Sequence, residues 1–79
     1  MKVQVLFFGA TADAVGKREI EIDLAEHTKT AQAFENVIRD FPRLAEHKLL
    51  FAVNQEYANG DELLQNGDEL AVFTAVSGG

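Results

Sequence analysis

The run Ala31-Gln32-Ala33-Phe34-Glu35-Asn36-Val37-Ile38-Arg39-Asp40-Phe41, closed by Pro42, decides the fold of this chain. Phe34, Val37, Ile38 and Phe41 recur at the spacing of one helical face. Pro42 ends the helix, because a residue before proline avoids helical backbone angles, and it can open a short second turn through Arg43-Leu44-Ala45-Glu46. Thr28 or Thr30 is the expected helix cap, although neither has the Glu or Gln three residues on that completes a capping box. A helix with one apolar stripe needs one apolar sheet face to cover it.

That face is supplied from both sides of the helix. Upstream, residues 2–8 alternate as a strand, with Val3, Val5 and Phe7 on a core face. The opposite face starts polar and turns apolar at Leu6 and Phe8, so it is either covered within the fold or a docking surface. Residues 9–16, bounded by Gly9 and Gly16, read as an Ala-rich connection with room for one helical turn. From Arg18 to Leu24 the alternation returns, with Ile20, Ile22 and Leu24 inward and Glu19, Glu21 and Asp23 toward water. These two strands are expected to pair antiparallel. Downstream, Leu49-Leu50-Phe51-Ala52-Val53 reads as a buried strand, Asn54-Gln55-Glu56 as its turn, and Tyr57-Ala58 as a brief edge piece. Asn59-Gly60 and Asn66-Gly67 are turn signals. The last strand, Glu69 to Phe73, has Leu70 and Val72 on one face and Ala71 and Phe73 on the other.

The expected architecture is therefore α+β, a small mixed sheet with one main helix packed across it. By analogy with the β-grasp (ubiquitin-like) fold, the first and last strands lie side by side and parallel. Residues 1–79 form one domain, of which 74–79 are an extended tail.

Composition narrows the function. The chain has 79 residues, a net charge of -6 and no cysteine. The charge repels nucleic acid and suits a partner with a basic face. No thiol is available as a nucleophile or metal ligand. No apolar run approaches a membrane span. Met1-Lys2-Val3-Gln4 lacks the apolar region and cleavage site of a signal peptide, so a cytoplasmic location is expected. His27 and His47 make no metal motif, and Asp61, Glu62, Asp68 and Glu69 read as solvated turn residues. Neither a phosphate-binding loop nor a dinucleotide fingerprint is present. The expectation is that no cofactor or metal is bound and that the chain acts as a reactant or carrier.

Its last residues are Val76-Ser77-Gly78-Gly79. A terminal glycine has no Cβ beside its carboxylate, so such a tail can thread a narrow channel and present that carboxylate for reaction. The plain alternative is a frayed end.

Four segments together resemble one family: Val3-Gln4-Val5-Leu6-Phe7-Phe8, Leu50-Phe51-Ala52-Val53-Asn54-Gln55-Glu56, Gly67-Asp68-Glu69-Leu70-Ala71-Val72-Phe73 and Val76-Ser77-Gly78-Gly79. The chain is similar to the small subunits of molybdopterin synthase, the MoaD-type ubiquitin-like sulfur carriers. The resemblance implies that an activating enzyme uses ATP to adenylate the Gly79 carboxylate, that sulfur converts it to a thiocarboxylate, and that this sulfur passes to cyclic pyranopterin monophosphate to build the molybdopterin dithiolene. It also implies a large synthase subunit as partner, in a heterotetramer of two small and two large subunits. Gly78 would let the tail thread, Val76 and Ser77 would lie along the partner, and Phe8, Tyr57 and Phe73 match positions that dock on it.

Two departures stand out. Many members have two prolines where this chain has Thr74 and Ala75, so the resemblance implies a less rigid lead-in to the tail. The segment from Gly9 to Gly16 lacks the family's common Arg-Glu pair and is assigned no role. A sulfur carrier of the thiamin pathway, a protein modifier conjugated through Gly79 and a plain binding module are the competing readings.

Overall fold

A computed structural model describes residues 1–75. The elements in chain order are β1 (Lys2–Phe7), α1 (Ala10–Val15), β2 (Glu19–Asp23), α2 (Thr30–Asp40), a 3-10 turn (Pro42–Glu46), β3 (Leu49–Val53), β4 (Glu56–Tyr57) and β5 (Glu69–Thr74). The five strands form one mixed sheet in the order β2-β1-β5-β3-β4. β1 and β5 are adjacent and parallel, with Val5 opposite Leu70 and Phe7 opposite Val72. β1 pairs antiparallel with β2, and β3 pairs antiparallel with both β5 and β4. This is the β-grasp arrangement expected from the sequence.

The core lies between one face of the sheet and the helices. Val3, Val5 and Phe7 from β1 and Leu70 and Val72 from β5 meet Ala33 and Val37 of α2 there, all buried. Phe34 of α2 stacks on Phe51 of β3, with centroids 4.5 Å apart, and Phe41 meets the ring of Phe7 edge-on at 6.1 Å. Leu44 of the 3-10 turn is fully buried. The amphipathic stripe is thus used as its spacing demands, and fully burying each such side chain stabilises the fold by about 1.5–3 kcal/mol.

Four local expectations change. Neither Thr28 nor Thr30 caps α2; the cap position is Lys29, with no side-chain bond. The loop after β4 crosses the helix start instead, and its backbone carbonyls at Glu62 and Gly60 accept the N–H groups of Thr30 (2.9 Å) and Ala31 (3.0 Å). The hydroxyls of Thr28 and Thr30 donate to the carbonyls of Ala25 and Glu62. Gly60 approaches so closely that a Cβ there would stand 3.0 Å from that of Ala31. Second, the helical turn allowed for in residues 9–16 forms and extends over Ala10–Val15, with Thr11 buried. Third, β3 divides its two faces: Leu49, Phe51 and Val53 pack half-buried toward the helix, while Leu50 and Ala52 face the other way, Leu50 exposed and the small Ala52 buried between its strand neighbours.

Fourth, β5 continues through Thr74, which pairs with Leu49, and the N–H of Ala75 donates to the carbonyl of Lys48 at 3.1 Å. Both residues are tied to β3 rather than belonging to a free tail.

Candidate functional site

Strand alternation leaves the other face of the sheet outside the core. The registers place Leu6 beside Ala71, Ala71 beside Ala52, Ala52 beside Tyr57, and Phe73 beside Leu50. Phe8, one residue beyond β1, continues the side of Leu6. All three helical segments contribute to the core on the opposite face, so these side chains form an uncovered apolar patch. Phe8 is 52% exposed, Tyr57 80% and Leu50 38%. Phe73 is half-buried, with its ring centroid 5.9 Å from that of Tyr57. A cluster of this kind, rich in aromatic rings, is a typical protein-binding surface.

The same face changes character toward β2. Glu19, Glu21 and Asp23 lie there, opposite Leu6, Gln4 and Lys2 of β1. The Lys2 ammonium stands 3.2 Å from Asp23 and 4.0 Å from Glu21. Its hydrogen bond holds the Asp23 carboxyl below the usual carboxylate range, with help from the amino terminus. Charged side chains on an outer strand also discourage unwanted edge pairing.

Because β1 and β5 run parallel, their ends coincide. Phe8, next after Phe7, therefore comes level with Phe73, while β5 runs on along β3 through Thr74 and the Ala75 N–H. The N–H of Phe8 donates to the carbonyl of Val72 at 3.1 Å, one step past the last strand pair. Val76, Ser77, Gly78 and Gly79 lie outside the described residues.

Other candidates are structural. Glu62 accepts the N–H groups of Asn59 (2.8 Å) and Gly60 (3.0 Å), and Asp68 accepts that of Gln65 (2.7 Å). These carboxylates brace turns, where the sequence reading had them merely solvated. His27 and His47 are exposed, and no group of side chains among the described residues could hold a metal ion. A cleft of about 580 Å³ beside Phe8 is walled by Leu6, Gly9, Ala12, Asp13 and Arg18 and adjoins the apolar patch. No helix among the described residues is long and apolar enough to cross a membrane.

A family model described as the ThiS family matches residues 5–79. The chain belongs to the ThiS family. A molybdopterin synthase sulfur carrier subunit from Homo sapiens is 39% identical, over 99% of this chain and 94% of that protein. The crystal structure of SAMP1 from Haloferax volcanii matches with a TM-score of 0.89 and 25% identity, covering 100% of both chains. Subunits 1 and 2 of molybdopterin-converting factor from Helicobacter pylori have been solved as a complex. One of its chains matches with a TM-score of 0.71 over 100% of both chains, and at 22% identity that likeness is one of fold. For a ThiS-family chain, an exposed aromatic patch around the end of β5 is the feature to explain.

Sequence reasoning picked out Phe8, Tyr57 and Phe73, and the structure brings them to one face. It missed Leu50, which a continuous apolar run disguises as a buried residue. It also missed Asn54, whose side chain accepts the N–H of Glu69 at 3.0 Å and donates to Asp68 at 3.0 Å. Asn54 and Gln55 both have positive φ, 50° and 71°, the mark of a two-residue hairpin turn. The only sequence signal was an asparagine at a turn, the residue type that tolerates such angles best after glycine.

Proposed function

We infer that this chain is the sulfur carrier subunit of a molybdopterin synthase in the cytoplasm. The observation that carries the reading is full-length likeness to a protein of that name. The uncovered patch beside the tail exit supports it, because a carrier must bind through its folded body while its end reaches elsewhere.

The chemistry follows from the carboxylate of Gly79. Attack of that carboxylate on ATP, held by an activating enzyme, gives an acyl adenylate and releases pyrophosphate. A sulfide-equivalent donor displaces AMP and leaves a thiocarboxylate. Its sulfur then attacks the pterin precursor, and water releases the carboxylate from the resulting thioester. Each cycle delivers one sulfur, so a dithiolene takes two. Gly78 keeps the tail narrow, since a side chain there would widen it within an enclosed channel. Val76 and Ser77 lie along the channel wall. Phe8, Tyr57 and Phe73, joined by Leu50, dock on the large subunit, with two copies of each subunit in the assembly.

The test is intact mass after incubation with a family activating enzyme, ATP and a sulfur source. The expected result is a gain equal to one oxygen-for-sulfur replacement, absent when Gly79 is deleted, followed by transfer to the pterin precursor once the large subunit is added. No gain under conditions that charge a known carrier overturns the reading. Charging without transfer to this precursor favours the thiamin pathway, and lysine-linked conjugates favour a protein modifier.

A further inference from the structure

We propose that Thr11 is a positioning residue for docking: its buried hydroxyl holds Phe8 beside Phe73 at the root of the tail. The proposal rests on the reading that Phe8 and Phe73 bind the large subunit. β1 makes its last pair with β5 at Phe7 and Val72. Phe8 lies beyond that pair and precedes Gly9, whose φ of 58° turns the chain away. A strand end followed by glycine is where fraying is expected. Here the frayed end is clamped. Thr11 has no exposed surface. Its Oγ1 accepts the N–H of Phe8 at 2.9 Å and lies 2.7 Å from the Phe8 carbonyl and 2.9 Å from the Val72 carbonyl. The hydroxyl has one proton, which serves one carbonyl at a time. The Thr11 N–H also reaches the Phe8 carbonyl, at 3.2 Å. One side chain therefore engages both backbone groups of Phe8 and the residue preceding Phe73.

Packing alone does not call for that hydroxyl. Valine has nearly the same shape and would fill the same space. What valine cannot do is accept the Phe8 N–H and donate to a backbone carbonyl away from water. A fixed backbone at Phe8 matters because its ring is half exposed and would otherwise be ordered only on binding. An aromatic anchor binds more tightly when its backbone does not have to be ordered on contact. Loss of the clamp should appear mainly as faster dissociation.

The test measures binding of the full chain to the molybdopterin synthase large subunit, with association and dissociation rates. Thr11→Val should weaken affinity about fivefold or more, as expected for a lost buried hydrogen bond. Thr11→Ser, which keeps the hydroxyl, should stay within about twofold by the same reasoning. Thr30→Val is the control: Thr30 is equally buried, and its hydroxyl bonds the Glu62 carbonyl at the start of α2, outside the patch. It should lower thermal stability and leave affinity unchanged. Equal losses from Thr11→Val and Thr30→Val, or failure of Thr11→Ser to restore binding, overturn the proposal. Phe8→Ala separates this from the docking reading. If that change leaves affinity intact, the docking reading fails and the proposal goes with it; if it weakens binding while Thr11→Val does not, the clamp alone is refuted. Amide exchange adds a check. Because the Phe8 N–H also reaches the Val72 carbonyl, the comparison is with the variant. Phe8 should exchange faster in Thr11→Val than in the parent, and an unchanged rate would also overturn the clamp.

Discussion

By the resemblance, Thr74 and Ala75 stand where many carriers of the family have prolines, and the structure supplies another way to steady that segment. Proline restrains the chain through φ but has no N–H. Ala75 uses its N–H to extend the bonding of β5 to β3 by one step. Ala75→Pro should therefore cost about 1 kcal/mol through the lost bond, seen as a lower thermal midpoint. An unchanged midpoint would mean that the φ restraint offsets it. Glu62 gives a second prediction. The Asn59 N–H holds its carboxyl below the ordinary value of 4.5. A carboxyl with a depressed folded pKa stabilises the fold above its unfolded value, and that contribution is lost as pH falls through the folded one. Glu62→Gln should be less stable than the parent at neutral pH, with the difference closing as pH drops below 4.5. Thermal midpoints measured across pH would check this; a constant gap would assign the effect to something other than the charge.

Strands β1 and β5 each carry two kinds of work on alternating residues. Leu70 and Phe73 are only three positions apart but face opposite ways, one into the core and the other onto the patch. Leu70→Ala should destabilise the protein by about 2–5 kcal/mol, because a cavity opens in a core that cannot fully close. Phe73→Ala should cost clearly less stability and far more partner affinity. Chemical denaturation and binding measured on both variants would reveal the contrast; similar stability losses would mean that Phe73 is a core residue. Most of these elements were legible in the sequence. The spacing of Phe34, Val37, Ile38 and Phe41 announced α2, and the Ile-Glu alternation of β2 assigned both of its faces. β3 was misread as buried because five apolar residues in a row carry no alternation. The cap of α2 was misplaced because its partners are carbonyls some thirty residues later, and a backbone carbonyl leaves no trace in composition.

Across the whole molecule, charge and apolar surface are separated on the uncovered face. The patch occupies the end where the chain leaves the sheet, while Glu19, Glu21 and Asp23 flank it on β2. With a net charge of -6, the chain should associate faster with a basic partner at low ionic strength. Raising salt toward physiological levels, where screening acts over about 8 Å, should slow association and leave dissociation nearly unchanged. Glu19→Lys combined with Glu21→Lys should do the same at fixed salt. Stopped-flow rates would check both, and a salt-independent association rate would remove electrostatic steering from the picture.

Local pattern sufficed for the order of elements, the identity of the helix and the inward residues of β1, β2 and β5, because periodicity is written in neighbouring residues. The segments resembling a carrier family could be read from the chain as well. Folding alone made a site of them. Phe8, Leu50, Tyr57 and Phe73 come from four separate segments, and they meet because β5 inserts between β1 and β3, parallel to one and antiparallel to the other. Strand pairing joins residues distant along the chain, and the backbone groups that make those bonds are nearly the same in every residue. Side-chain spacing therefore says which way a strand faces but not which strand lies beside it, and that neighbour is what places an aromatic patch at the root of the tail.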